Sequence, residues 1–588
     1  MTQPSSVFDD SDVADGTGLI IPLQPPSSAQ VFHTVHSEFG HCDNQLQRHT
    51  SRHPLGVPLE RTEEQDPPYY ILITTYLSFV FFICLGHLRD FLGKRWNPEL
   101  YSHLIPSDGY AAFSSDFDSF YTRRLKSRLD DCFSRPVTGV PGRTIILLDR
   151  VSPDYNATFH LTGKHIRGLN VSSYNYLGFA QTQGGCADAV ETSIGRYGLS
   201  SMGGRMEGGT TDLHVQAEAL VSRFVGHEDS IIGSMGFATN STTIPALVGK
   251  GSLVISDEYN HASIRYGVRV SGAQVRMFKH NNMEDLENLL REVISQGQPK
   301  THRPWKKILL VVEGLYSMEG TLVNLPAVVA LKQKYKFYLY VDEAHSIGAL
   351  GPHGRGVCDY FGVNPRSIDI LMGTFTKSFG AAGGYIAGPK PLIAALRIRT
   401  HAGSYAEAMS PVVLTQVIAS MGSIMGVADS PKHLEVSSSA STSTIQANGL
   451  RDGSEGRERL RRLAFNVRYL SRGLKKLGFI TYGHEDSPVI PMLLFNPGKM
   501  LLFSRLMLEW KVPIVVVVVA YPATPLVTSR VRFCLSASHV KTDVDMLLRA
   551  CDEIGDLLDL KHGHVKERWT VDKIIDNALQ IAKDASFS

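Results

Sequence analysis

The sequence has no CxxC pair: Cys42, Cys84, Cys132, Cys186, Cys358, Cys534 and Cys551 are scattered along 588 residues. That spacing excludes a disulfide framework and a cysteine zinc site, and the odd number fits a reducing compartment. An excess of charge of one sign is also lacking. Lys plus Arg number 59 against 57 Asp plus Glu, a net charge of +2, without the basic stripe of a dedicated nucleic-acid binder. There is no GxxxxGK[ST] and no HExxH, and GPHGRG at 351–356 is glycine-rich without a phosphate-loop lysine. The 52 glycines follow no G-X-Y period, which leaves cofactor or phosphate loops as their use. The opening residues hold no apolar run of the kind a secretory signal needs.

What is there describes a folded chain, 43% hydrophobic and 20% charged. The length suits three or four units, or one large α/β enzyme with tails. Residues 1–66 are rich in Ser, Pro, Asp and Gln and read as a disordered tail. Then Tyr69 to Leu88 runs YYILITTYLSFVFFICLGHL without one charged residue. As a helix it rises about 30 Å, the thickness of a bilayer's hydrocarbon core. Tyr69 and Tyr70 at one end, and Arg89, Lys94 and Arg95 at the other, suit the membrane interfaces. A buried core helix is the other reading, but the polar tail before it offers nothing to bury it. The narrow downstream excess of basic residues puts the C-terminal part in the cytosol.

FSSDFDSFYTRRLKSR at 113–128 reads as an amphipathic helix, broken by Pro136 and Pro141. From Leu169 onward, short apolar runs alternate with helix-length stretches: SLVISD (252–257), KILLVVEG (307–314), FYLYVDEAH (337–345) and DILMGTF (369–375), with Leu325–Tyr335 as a helix. This alternation predicts βαβ units around a largely parallel sheet. SPKHLEVSSSASTSTIQANGLRDGSEGR at 430–457 interrupts it as a Ser-rich surface insertion. A helix over 457–479, strands at 488–495, 513–521 and 530–536, and a last helix complete a smaller α+β domain.

GTFTKSFG, Gly373–Gly380, sets Lys377 among short hydroxyl side chains directly after a β-rich run. An isolated lysine is usually a solvated charge. A second feature argues against that here: Asp342 and His345 end the run before it, at the strand edge where open α/β sheets bind ligands. An Asp at one strand end and a Lys after the next fit pyridoxal phosphate. A lysine holds its aldehyde as a Schiff base, and a carboxylate keeps its pyridine nitrogen protonated. GSMGFATN, Gly233–Asn240, could open a helix whose amides hold the phosphate, and His261 of SDEYNHAS could stack on the ring. Alone, each of these would be a turn and an ordinary histidine. NAT at 156, NVS at 170 and NST at 240 match the glycosylation pattern, which a cytosolic domain leaves unused.

SYNYLGF (173–179), YGLSSMGGRMEGGTTDLH (197–214), VEGLYSMEG (312–320), VDEAHSIGALGPHGRG (341–356) and GTFTKSFGAAGGYIAG (373–388) resemble the α-oxoamine synthases over roughly residues 110–560. That family consists of fold-type I pyridoxal-phosphate enzymes that condense an amino acid with an acyl-CoA. RPWKKILLVVEG (303–314), YPATP (521–525) and the single membrane segment are similar to its lipid-forming branch, which joins L-serine to palmitoyl-CoA with loss of CoA and CO2. The resemblance implies an α/β fold-type I transferase, with a large, mostly parallel-sheet domain and a smaller C-terminal α+β domain. By position, Lys377 is the implied Schiff-base lysine, Asp342 the pyridinium partner, His345 the ligand of the phenolic oxygen and His261 the stacking ring. Lys377, Asp342 and His261 form the implied catalytic set. The resemblance also implies that Gly236 and Phe237 hold the phosphate through backbone amides, with a hydroxyl from Thr374. It implies Arg532 as the residue that binds the amino-acid carboxylate, with Arg530 two residues away as a competitor for that role, and Asn175 as a second substrate residue. Glu407 in YAEAMSP departs from the family's hydroxyl-rich stretch, and a carboxylate there would repel a neighbouring subunit's phosphate.

The resulting division is a tail (1–66), a transmembrane helix (67–90), a helical arm (91–168), a large cofactor domain (169–400), a small domain (401–560, with the insertion 429–457) and a C-terminal tail (561–588). The resemblance implies a heterodimer with a lysine-less partner subunit. It also implies a single-pass place in the endoplasmic reticulum membrane with the catalytic domain cytosolic, no metal and no nucleic acid. Another α-oxoamine synthase, making aminolevulinate or a biotin precursor, is the near alternative. A non-catalytic scaffold subunit is the distant one, and Lys377 argues against it.

Overall fold

The computed structural model of the chain describes residues 38–583 apart from 43, 60–64, 155, 157, 427–452, 522 and 566. The strands are β1 (Val137–Thr138), β2 (Thr144–Val151), β3 (His160–Asn170), β4 (Asp229–Gly233), β5 (Leu253–Asp257), β6 (Gln274–Phe278) and β7 (Ile308–Glu313). They continue as β8 (Tyr338–Asp342), β9 (Ile370–Thr374), β10 (Gly384–Gly388), β11 (Val489–Phe495), β12 (Ile514–Val515), β13 (Val517–Val519) and β14 (Ser529–Cys534). Helices used below are α1 (Tyr69–Trp96), α2 (Gly236–Leu247), α3 (Ala262–Ser271), α4 (Leu325–Tyr335), α5 (Ser454–Leu477) and α6 (Pro497–Glu509).

The central sheet has the order β4-β10-β9-β8-β7-β5-β6. Strands β6, β5, β7, β8 and β9 are mutually parallel, and only β10 runs antiparallel to its neighbours. Continuous apolar runs such as ILLVVE fit a sheet covered on both faces, and β5, β9 and β10 are buried at every position. Because the strands are parallel, their C-terminal ends share one edge, which makes room there for a ligand. The smaller lobe is built on the sheet β11-β14-β13. Its long helix α5 places Leu463, Val467, Leu470 and Leu474 in the main core at helical spacing.

Several sequence expectations change. The stretch 91–168 is helical only to Cys132; β1, β2 and β3 follow, because TIILLDRV and HLTGKHIRGLN pair as an antiparallel hairpin. The apolar run at 513–521 is two strands, since Val516 divides β12, which joins β3 in parallel, from β13, which joins β14. Residues 38–59, expected within the disordered tail, lie on the catalytic body: Phe39 is fully buried in the main core and Gly40 N–H donates to Ser538 O at 2.9 Å. Beyond residue 560, Ile574, Ala578 and Ile581 are buried in the main core. The tail over 1–37 and the insertion over 427–452 lie outside the described residues, and 454–457 open α5.

Helix α1 carries the uncharged run on through Arg89 and Asp90 to Trp96, 28 residues or about 42 Å in all, and is long and apolar enough to cross a membrane. Its inner side meets the body through Ile71, packed with Ile480, Leu493 and Phe495, and through Asp90, which accepts from Arg123 at 2.7 Å and pairs with Arg124. Ile73, Tyr76, Leu77, Val80 and Phe81 face outward and are exposed. So long an exposed apolar face needs lipid or another apolar surface against it.

Candidate active site

The parallel strand ends bring four titratable side chains together: Asp342 closes β8, Glu313 closes β7, His261 follows β5 and Lys377 follows β9. Asp342 is buried and held from both sides. Its Oδ2 accepts from Asn240 Nδ2 at 2.7 Å and its Oδ1 from Ala344 N–H at 2.9 Å. Asn240, on α2, is itself fixed by Tyr340 Oη donating to its Oδ1 at 2.6 Å. The same amide donates to Ser263 Oγ at 3.0 Å, and that hydroxyl lies 2.7 Å from His261 Nδ1. One network, buried at Asp342, Asn240, Tyr340 and Ser263 and reaching out to the exposed His261, therefore aims both the carboxylate and the imidazole.

His261 also caps α3, where its Nδ1 accepts from Ser263 N–H at 3.2 Å. A ring that accepts at Nδ1 carries its proton on Nε2. Burial holds the His261 pKa below the usual range and Lys377 adds to that, against the opposing pull of Asp342. The backbone N–H of His261 donates to Glu313 Oε1 at 2.5 Å. Burial, and then the charge of Asp342, push the Glu313 carboxyl well above its ordinary value.

Burial lowers the Lys377 amine to about 8, while Asp342 and Glu313 pull it upward. Near neutral pH a tangible fraction is then the free base, the nucleophilic form. Its Nζ lies 5.8 Å from the centre of the Tyr174 ring. His345 is buried, and burial followed by Lys377 holds its ring well below the usual pKa. Its Nδ1 lies 2.8 Å from Tyr176 Oη, so a hydroxyl donating there leaves Nε2–H free to point into the site.

Arg532 reaches the same cleft from β14 in the other lobe. It pairs with the Tyr174 hydroxyl and donates to Ser317 O at 3.3 Å, while its buried Nε has no partner among the described residues. An unused guanidinium N–H in a buried site is what an incoming carboxylate would take up. Arg530, the competing candidate, donates instead to Met318 O at 2.7 Å and to Thr528 O at 3.0 Å.

The remaining expected residues divide. Gly236 opens α2, followed by Phe237, so their amides belong to the first turn, which lacks intrahelical acceptors. A side chain at Gly236 would bring a Cβ to 3.1 Å from Thr374 Cγ2, which ties that turn to β9. Thr374 is buried beside it. The Asn175 amide donates one N–H to Pro141 O at 3.1 Å and accepts from Ala180 N–H at 3.2 Å, bonds that fix its place in the 173–179 turn and use half of its hydrogen-bonding capacity. Glu407 is exposed, and its backbone bridges to Gly204. Asn240, one of the matches to the glycosylation pattern, is 1% exposed and serves Asp342.

Pyridoxal phosphate fits these residues. A half-buried lysine of lowered pKa, a braced carboxylate at the neighbouring strand end, a neutral imidazole N–H and a helix N-terminus are the donor set it requires. Sequence reasoning missed Asn240, Tyr340 and Ser263 behind Asp342 and His261, and Tyr174 and Tyr176 behind Arg532 and His345. Only SYNYLGF, with two tyrosines in a polar turn, carried a signal.

Comparison with known proteins agrees with the site. The profile of the family "Aminotransferase class I and II" matches residues 166–551. The chain is similar to "Serine palmitoyltransferase 2" of Saccharomyces cerevisiae, 50% identical over 96% of this chain and 98% of that one. It is also similar to "Serine palmitoyltransferase 2" of Schizosaccharomyces pombe, 53% identical over 90% of this chain and 83% of the relative. Among solved structures, one described as SPT with a PLP internal aldimine superposes with a TM-score of 0.62 at 27% identity, covering 76% of this chain and 98% of that one.

Proposed function

The chain belongs to the aminotransferase class I and II family and, within it, to the serine palmitoyltransferases, and on that premise we propose how its residues divide the reaction. It is a pyridoxal-phosphate enzyme that condenses L-serine with palmitoyl-CoA to 3-ketodihydrosphingosine, CoA and CO2, the first step of sphingolipid synthesis. The observation that carries the assignment of roles is the placement of Lys377, Asp342 and His261 after β9, β8 and β5 on one strand edge, with Asn240 linking Asp342 to Ser263 and so to His261.

Pyridoxal phosphate bound there supplies an electron-accepting ring that stabilises negative charge at the amino-acid Cα. Lys377 would provide the covalent tether for the cofactor's aldehyde and, as a neutral amine, a base for the Cα proton. Asp342 keeps a proton on the ring nitrogen, because two hydrogen bonds fix its carboxylate in place. His261 would cover the ring face, and His345, with Nδ1 met by the Tyr176 hydroxyl, would donate from Nε2 to the phenolic oxygen. The first-turn amides of Gly236 and Phe237, with the Thr374 hydroxyl, take the phosphate. Arg532 orients the serine carboxylate through its unused Nε–H, which sets the Cα–H bond relative to Lys377.

The working enzyme is, in this proposal, a heterodimer with the lysine-less subunit 1 of serine palmitoyltransferase. Exposed apolar residues support it: Leu199, Met202, Met206, Ile398 and Tyr405 stand in segments joined by the Gly204–Glu407 bridge, with Met202 91% exposed. Such a cluster calls for a partner surface. We also propose anchorage in the endoplasmic reticulum membrane through α1 as the single membrane segment, with the catalytic body cytosolic. That keeps lipid substrate and product near the bilayer. Co-purification with subunit 1, followed by assay with L-serine, glycine or L-alanine and palmitoyl-CoA, tests the whole reading. Serine-dependent product from the pair is expected; preference for glycine or alanine would overturn it.

A further inference from the structure

Helix α5 carries RERLRRLAFNVRYLSRG, and arginines in so basic a run ordinarily lie in water. Arg459 does not: it is 1% exposed. Its guanidinium is sandwiched between the rings of Phe39 and Phe179, each 4.4 Å from Cζ. Both faces of the cation are thus covered by aromatic rings. Around the edge, Nη1 donates to Leu177 O at 2.8 Å and to Gly178 O at 3.0 Å. Nε and Nη2 donate to Glu455 Oε1 at 2.9 and 2.6 Å, and Nη2 also to Gln181 Oε1 at 3.3 Å. Five N–H groups meet five hydrogen bonds, and Glu455, one helical turn back, balances the buried charge.

We propose that Arg459, with Phe39 as its cover, is a positioning residue for the amino-acid end of the substrate site. The two carbonyls it grips end the 173–179 turn. Earlier in that turn stand Tyr174, whose hydroxyl pairs with Arg532, and Tyr176, whose hydroxyl meets His345 Nδ1 at 2.8 Å. The turn closes on Gly178 at φ +71°, where any Cβ would lie 2.9 Å from the Phe39 ring. Phe39 comes from outside the region matched by the family profile, on a segment held by Gly40 N–H to Ser538 O and by Glu38 O accepting from Arg143 N–H, both at 2.9 Å. The residues N-terminal to α1 therefore cover the clamp that sets the tyrosine pair, and Tyr174 sets Arg532. Lysine at 459 would keep the charge but lose the planar stack and the five-point fork.

The inference rests on Arg532 being the carboxylate-binding residue, so the test separates the two. Holoenzyme co-purified with its partner subunit is prepared as wild type, Arg459→Lys, Phe39→Leu and Arg532→Gln. Each is titrated spectroscopically with L-serine and with ethanolamine, which lacks the carboxylate, and cofactor content and KM for palmitoyl-CoA are measured alongside. Arg459→Lys is expected to weaken L-serine binding about tenfold, as displaced positioning groups do. Ethanolamine binding, cofactor content and the KM for palmitoyl-CoA should stay within about twofold of wild type on the same argument. Phe39→Leu should give a smaller effect of the same sign. If Arg532→Gln fails to separate serine from ethanolamine, the carboxylate assignment falls. If Arg532→Gln separates them and neither Arg459→Lys nor Phe39→Leu does, the positioning role is overturned. Equal losses for both ligands in the clamp variants would also overturn it, since they mark a general structural role.

Discussion

The two sides of the catalytic cleft are held in opposite ways. On the strand edge of the large lobe, the Asp342 carboxylate has both oxygens engaged and the exposed His261 has Nδ1 engaged, through one network reaching back to the buried Tyr340. Across the cleft, Arg532 on β14 leans on Tyr174 and on long bonds to Ser317 O and Met318 Sδ, and keeps a buried Nε–H without a partner among the described residues. The groups that do chemistry are fixed before any ligand arrives, as electrostatic preorganisation requires. The group that recognises substrate keeps capacity that only a ligand fills.

The contrast can be broken experimentally. Lys377→Ala removes both the tether and the base, and turnover of the purified complex should fall by at least about 10³-fold, as for other residues that act directly at the reacting atoms. Activity within a factor of ten of wild type would remove Lys377 from the chemistry. A milder split should separate the two sides. Asn240→Ala unbinds one oxygen of Asp342 and should lower kcat about tenfold, the scale of one lost buried hydrogen bond, with the KM for serine little changed. Arg532→Lys should raise the KM for serine by a similar factor with kcat less affected, because a point charge replaces the fork. Both variants shifting kcat alone would erase the distinction.

An effect of the same size concerns pH. Burial lowers the Lys377 pKa to about 8, so its neutral amine grows as pH rises through that value instead of through the ordinary 10.5. Uptake of pyridoxal phosphate by apoprotein, followed by visible absorbance, should quicken about tenfold from pH 7 to 9 and then level off. A rate still climbing steeply at pH 10 would mean an unshifted lysine.

Much of this site was legible because parallel strands end together. Asp342, His345, His261 and Lys377 all follow apolar β-rich runs, and a parallel sheet carries those run ends to one edge without further information. What stayed hidden depends on long-range contact. Asn240 and Asp342 are 102 positions apart, and Arg532 and Tyr174 are 358 apart. Nothing in either local pattern announces those pairs. Strands β2 and β3 were missed because HLTGKHIRGLN is polar at its exposed end, so its pairing with TIILLDRV carries the signal that its own periodicity lacks. Phe39 was assigned to a tail by composition, since one aromatic in a polar segment does not reveal that an arginine 420 residues later will stack on it.

The central claim is that Lys377 holds the cofactor. Borohydride reduction of the yellow complex, followed by digestion and mass mapping of both subunits, tests it most directly. The account predicts a single pyridoxyl group on the peptide containing GTFTKSFG of this chain and none on the partner. A pyridoxyl group on any other lysine, or on the partner subunit, would contradict it.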